Sequence, residues 1–145
     1  MKAKRSQQLF VLVAVAVAAL WVLFSAQAAE PKKIEIVIKD SKSKVLSGYT
    51  ITGMPTEIVV RNEDNIVHGF NTSLFTDSMD VQMEGGSRAK GKGPHVYRIE
   101  PGKTLTLKLT PPRMDENESF AFWCDIHASM KGEMLVVEYT GPGGG

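Results

Sequence analysis

The chain has one cysteine, Cys124, with His127 three residues and Met130 six residues beyond it. The segment is bracketed by the apolar runs Phe120–Trp123 and Met134–Tyr139, which read as strands. It is therefore a short loop anchored at both ends. Such a loop can turn three side chains toward one point, whereas a straight strand cannot, because its side chains alternate between faces. The fold has to hold this thiol, imidazole and thioether cluster where two strands are joined.

The N-terminus sets the compartment. Lys2, Lys4 and Arg5 precede an unbroken apolar run from Leu9 to Phe24, and Ser25-Ala26-Gln27-Ala28 supplies an Ala-x-Ala site. Residues 1–28 read as a secretory signal peptide cut before Ala29, or as an N-terminal membrane anchor through residues 9–24. A helix of that length covers about 24 Å against a hydrocarbon core of roughly 30 Å, which favours cleavage. Under either reading the basic end stays in the cytoplasm and the rest faces the periplasm or the outer side of the membrane.

Export makes the lone cysteine informative, because one cysteine cannot close an intrachain disulfide. Cys124 is a buried small hydrophobe, half of an intermolecular bond, or a metal ligand, and its neighbours favour the last. Residues 1–28 hold three of the 17 Lys and Arg and none of the 16 Asp and Glu, leaving 14 against 16. A near-neutral domain carries no footprint for nucleic acid or for polybasic membrane binding.

Residues 29–33 read as a short polar tether, 34–140 as one domain, and 141–145 as a flexible Gly/Pro tail. Strand signals fall at Ile34–Ile38, Val45–Ile51, Thr56–Arg61 and His95–Ile99. Leu105, Leu107 and Leu109 then alternate with Thr104, Thr106, Lys108 and Thr110. Turn clusters separate them at Gly53-Met54-Pro55, Asn62–Asn65, Pro101-Gly102 and Pro111-Pro112. This pattern predicts an all-β, antiparallel sandwich or barrel of seven or eight strands, with its one helix in the signal or anchor segment. Residues 71–94 are the least readable: Leu74, Phe75, Met79 and Met83 fit a short amphipathic helix or irregular packing. Residues 85–93 read as a flexible basic loop.

His68, far upstream at the end of another strand signal, is the candidate second imidazole. Two imidazoles, a thiolate and a weak thioether make the trigonal site with an axial Met that suits copper in electron transfer. Thiolate and thioether favour Cu(I), while imidazole serves both oxidation states. Four occupied positions leave no open one for a substrate, and a second cysteine for a binuclear centre is absent.

The run Phe122-Trp123-Cys124-x-x-His127-x-x-Met130-x-Gly132 resembles the copper-binding end of the cupredoxins, the small blue copper proteins. Its spacing is most like amicyanin, whose loop is shorter than that of plastocyanin. Val60–His68 resembles the family's stretch before its first histidine, and the resemblance spans roughly residues 34–139. It implies a cupredoxin-like Greek-key β-sandwich with one type 1 copper per chain. His68, Cys124 and His127 would be equatorial ligands and Met130 the weak axial one. The Gly69 N–H would bond to the thiolate, and Met54, Pro55 and Ala128 would lie near an apolar electron-transfer patch around His127. The implied role is a monomeric, non-enzymatic carrier of single electrons between a donor and an acceptor protein.

Three departures stand out. Ile126 occupies a place where such loops usually have Pro. Asp125 puts a carboxylate beside the thiolate, either disfavouring the reduced site or pointing to water. The stretch from Asn71 to His95 is longer than in amicyanin. A periplasmic copper chaperone or storage protein could use the same ligands, as could a copper enzyme with Met130 unbound; a zinc module is disfavoured by the Met. His95 reads as a surface residue and Met79 and Met83 as packing. Arg88, Lys90 and Lys92 read as a solvated loop or as steering charges for an acidic partner.

Overall fold

A computed structural model describes residues 30–141. The signal or anchor segment and the tail from residue 142 lie outside the described residues. Eleven strands and no helix are found among those described. They are β1 (Lys32–Lys39), β2 (Lys42–Ser47), β3 (Thr50–Ile51), β4 (Thr56–Asn62), β5 (His68–Thr72) and β6 (Gln82–Glu84). β7 (Ser87–Ala89), β8 (Val96–Ile99), β9 (Thr104–Leu109), β10 (Glu118–Trp123) and β11 (Lys131–Val137) complete the set. The tether is shorter than expected, because Lys32 already pairs with Thr56 and its N–H donates to Pro55 O at 2.8 Å.

Two sheets face each other, ordered β2-β1-β4-β9-β6 and β3-β11-β10-β5-β8-β7. Period-two alternation builds the core. Ile34, Ile36 and Ile38 of β1, Ile58 and Val60 of β4, and Leu105, Leu107 and Leu109 of β9 point inward from the first sheet. Phe70, Tyr97, Ile99, Phe122, Met134 and Val136 do so from the second.

The antiparallel expectation is corrected at two places: β1 pairs with β4, and β3 with β11, in parallel. Parallel neighbours need a crossover. The chain makes it by leaving the first sheet after β2, contributing β3 to the second sheet, and returning as β4. The stretch after Asn71 forms turns and the short strands β6 and β7 instead of a helix, with Leu74, Phe75 and Val81 buried. Met79 and Met83 are half-buried against the core, and Arg88 lies on β7 with its guanidinium donating to Val81 O at 2.9 Å.

Candidate metal centre

The site begins at the end of β4. Asn62 is fully buried, and its Nδ2 donates to the carbonyls of Ile66, Ile99 and Glu100 at 2.8, 3.0 and 3.2 Å. Its Oδ1 accepts the Asp64 N–H at 3.0 Å. One buried amide thus shapes the whole turn from Asn62 to Val67 and delivers His68 to the start of β5.

Asp64 has a double task in that turn. Its carboxylate accepts the N–H groups of Asp40 and Ser41 at 2.6 and 2.9 Å. Both residues have φ of 52° and form the two-residue turn between β1 and β2. Oδ2 also lies 2.8 Å from His68 Nε2. Burial would raise the Asp64 pKa, but donation from Ser41, His68 and Asp40 together holds it below the usual carboxylate value. A carboxylate accepting from Nε2–H selects the His68 tautomer with an unprotonated Nδ1.

That Nδ1 faces His127 Nδ1 at 3.1 Å, and His127 Nδ1 lies 3.5 Å from Cys124 Sγ. The three donor atoms lie within 4.8 Å of one another, with His68 and Cys124 buried and His127 half-buried. Bonds of about 2.0–2.3 Å to one ion would space two donors by roughly 3.3–4 Å, so this cluster is the right size for a single metal. The Gly69 N–H donates to Cys124 Sγ at 3.1 Å.

The loop from Cys124 to Met130 closes on itself. The Cys124 N–H donates to Met130 O at 2.9 Å, and the Met130 N–H donates to His127 O at 3.0 Å. Met130 is 2% exposed and belongs to the same core cluster as Cys124, Phe70 and Phe122. At Gly132 a side chain would strike the Phe122 ring, which lies directly across the β10–β11 ladder. The glycine therefore lets the strand after the loop pack tightly.

Other expectations divide by their end of the sandwich. Ala128 is exposed at the metal end, beside Ile126, which is 46% exposed; Ile66, at 41%, lies in the turn leading to His68. Met54 and Pro55 are corrected. They precede Thr56, and β4 runs from Thr56 to Asn62, about 20 Å, before the turn that carries His68. The parallel register places them beside Lys32, at the opposite end. His95 stands away from the cluster, stacked on Tyr97 at 6.5 Å with its Nε2 3.2 Å from Thr76 O.

Asp125 does not point to water. It is paired with Arg98 of β8, Nη1 to Oδ1 and Nη2 to Oδ2 both at 2.7 Å. Asp64 belongs to the Asn62-x-Asp64-x-x-x-His68 pattern of the sequence, which carries no hint of its contact with the imidazole. Arg98 has no signal in the sequence, because its proximity depends on strand register.

No protein-family model matches the chain, and no curated protein does. Solved structures do resemble it. A variant of the McoA multicopper oxidase from Aquifex aeolicus matches at TM-score 0.51 and 12% identity, over 72% of this chain and 28% of the oxidase. The chain thus spans under a third of that protein. Auracyanin A, a "blue" copper protein from Chloroflexus aurantiacus, matches at TM-score 0.48 and 14% identity, over 75% of this chain and 99% of its own. A single-substitution mutant of amicyanin in its Cu(I) form matches at TM-score 0.42 and 14% identity, over 79% and 88%. At such identities the likeness speaks to the fold alone, an all-β sandwich of two sheets, and of these three matches only the oxidase reaches a TM-score of 0.5.

Proposed function

We propose that this chain is an exported, single-copper electron carrier that passes electrons between two protein partners outside the cytoplasm. The observation that carries the reading is the convergence of His68 Nδ1, Cys124 Sγ and His127 Nδ1, with the Gly69 N–H on the sulfur. Two imidazoles and one thiolate, with a thioether buried beside them, form the donor set that suits copper over zinc. When bound, copper supplies a one-electron Cu(II)/Cu(I) couple.

The protein's own residues would serve that couple by staying still. Asp64 fixes the His68 ring, the two backbone bonds within the loop fix Cys124 and Met130, and the sheets fix the distance between the two halves of the site. A donor set that need not rearrange lowers the cost of gaining or losing an electron. Met130, buried next to Cys124 in the same loop, would hold the copper as the weak fourth donor. Electrons would enter and leave at the half-buried His127, where Ile126, Ala128 and Ile66 offer partners an apolar surface.

Voltammetry of the copper-loaded mature domain tests the reading. Fast, reversible one-electron cycling without copper loss is expected. Copper released on each reduction, or no reversible wave, would instead mark a storage or delivery protein using the same side chains.

A further inference from the structure

The β10–β5 ladder is described only at Phe122↔Thr72 and Trp123↔Asn71, so the chain has left it at Cys124. Beyond that point the loop's backbone bonds are internal to it. Ile126 is 46% exposed and lies outside the core cluster. A sideways restraint has to come from a side chain.

Asp125 supplies one. Its carboxylate reaches over β5 to Arg98, which stands opposite Gly69 in the β5–β8 register. The paired side chains are only 20% and 17% exposed. Gly91 closes over the other carboxylate oxygen, with room for a Cβ only 3.2 Å from Oδ2. On Gly69 a Cβ would overlap Asp125 Oδ1 and come within 2.9 Å of Arg98 Nη1. The ion pair therefore occupies the space that the glycine leaves open, at the same residue whose N–H donates to Cys124 Sγ.

We propose that Arg98 and Asp125 form a clamp that positions the ligand loop. Through Asp125 the pair ties the residue after Cys124 to β8, and it keeps the Gly69 N–H on the sulfur. This supplies the stiffness that a proline at position 126 would otherwise give. It also sets a guanidinium beside a carboxylate that would otherwise stand unbalanced next to a thiolate. A two-pronged Arg–carboxylate pair fixes direction as well as distance, which a Lys cannot do. Both residues act through Cys124 and Gly69; neither is assigned as a ligand.

The test compares wild type with Asp125→Asn, Arg98→Gln and Arg98→Lys, using Lys108→Ala, which removes the exposed Lys108–Glu84 pair, as a control. In copper-free protein, amide exchange at Gly69 and Met130 should speed up severalfold in the first two variants, with unchanged melting temperature. The control should match wild type. With copper, the same two variants should bind Cu(II) about 10-fold more weakly or worse and show a broadened EPR spectrum. Arg98→Lys should recover less than the full effect. The clamp is refuted if Asp125→Asn and Arg98→Gln keep wild-type exchange, affinity and spectrum; should both fail to fold, Arg98→Lys decides by the same readouts. The inference rests on the copper reading only for its second arm. If wild type takes up no copper as a thiolate complex, that reading fails while the copper-free exchange still decides the clamp.

Discussion

His68 is held from behind by Asp64: its Nε2 lies 2.8 Å from Asp64 Oδ2, and its Nδ1 is turned toward His127. A negative carboxylate on the far nitrogen makes the imidazole a better donor and favours the more positive state of a metal bound in front. Replacing Asp64 with Asn removes the charge and keeps the shape. Cu(II) affinity should then fall by about 10- to 100-fold. If Cu(I) binding changes little, the potential should rise by roughly 60–120 mV, at 59 mV per decade for one electron. Voltammetry of the two proteins checks the sign and the size.

The same carboxylate gives the copper-free protein an acid-sensitive contribution. Its folded pKa is lowered, so the stabilisation is fully present above the unfolded pKa and lost as pH falls through the lower folded value. Wild type and Asp64→Asn should therefore differ most at neutral pH, by on the order of 1 kcal/mol, and converge in strong acid. Urea unfolding at a series of pH values measures the gap.

Asn62 carries the turn that presents both Asp64 and His68. Asn62→Ala would strip a buried donor from three carbonyls and an acceptor from the Asp64 N–H. A loss of about 1–3 kcal/mol in urea unfolding of the copper-free protein is expected. Copper affinity should fall as well, because the turn no longer presents His68.

Gly69→Ala drives a methyl into the Asp125 carboxylate. Either the ion pair opens or β5 shifts, at about 1–3 kcal/mol for overpacking. The bond from Gly69 N–H to Cys124 Sγ lengthens in both cases. Unfolding and the energy of the sulfur-to-copper absorption should therefore change together.

Local spacing made half of the site legible in sequence. Cys124, His127 and Met130 share one short loop, and strand signals on both sides show where its ends are held. His68 could be proposed by its chemistry, although its distance to the others is set by the sheet. What depends on register was not legible. Arg98 faces Gly69 only because β5 and β8 pair as they do, and the parallel β1–β4 pairing carried Met54 and Pro55 to the far end. The short strands β6 and β7 lie in Gly-rich sequence with little alternation, where periodicity has nothing to report.

The central claim is that Cys124 sulfur, with two imidazoles, holds one copper in a constrained geometry. Optical and EPR spectra of the mature domain with one equivalent of Cu(II) test it most directly. An intense visible sulfur-to-copper band with narrow copper hyperfine splitting, both lost in Cys124→Ser, is the expected result. A weakly coloured protein with ordinary wide splitting, unchanged by Cys124→Ser, would contradict it.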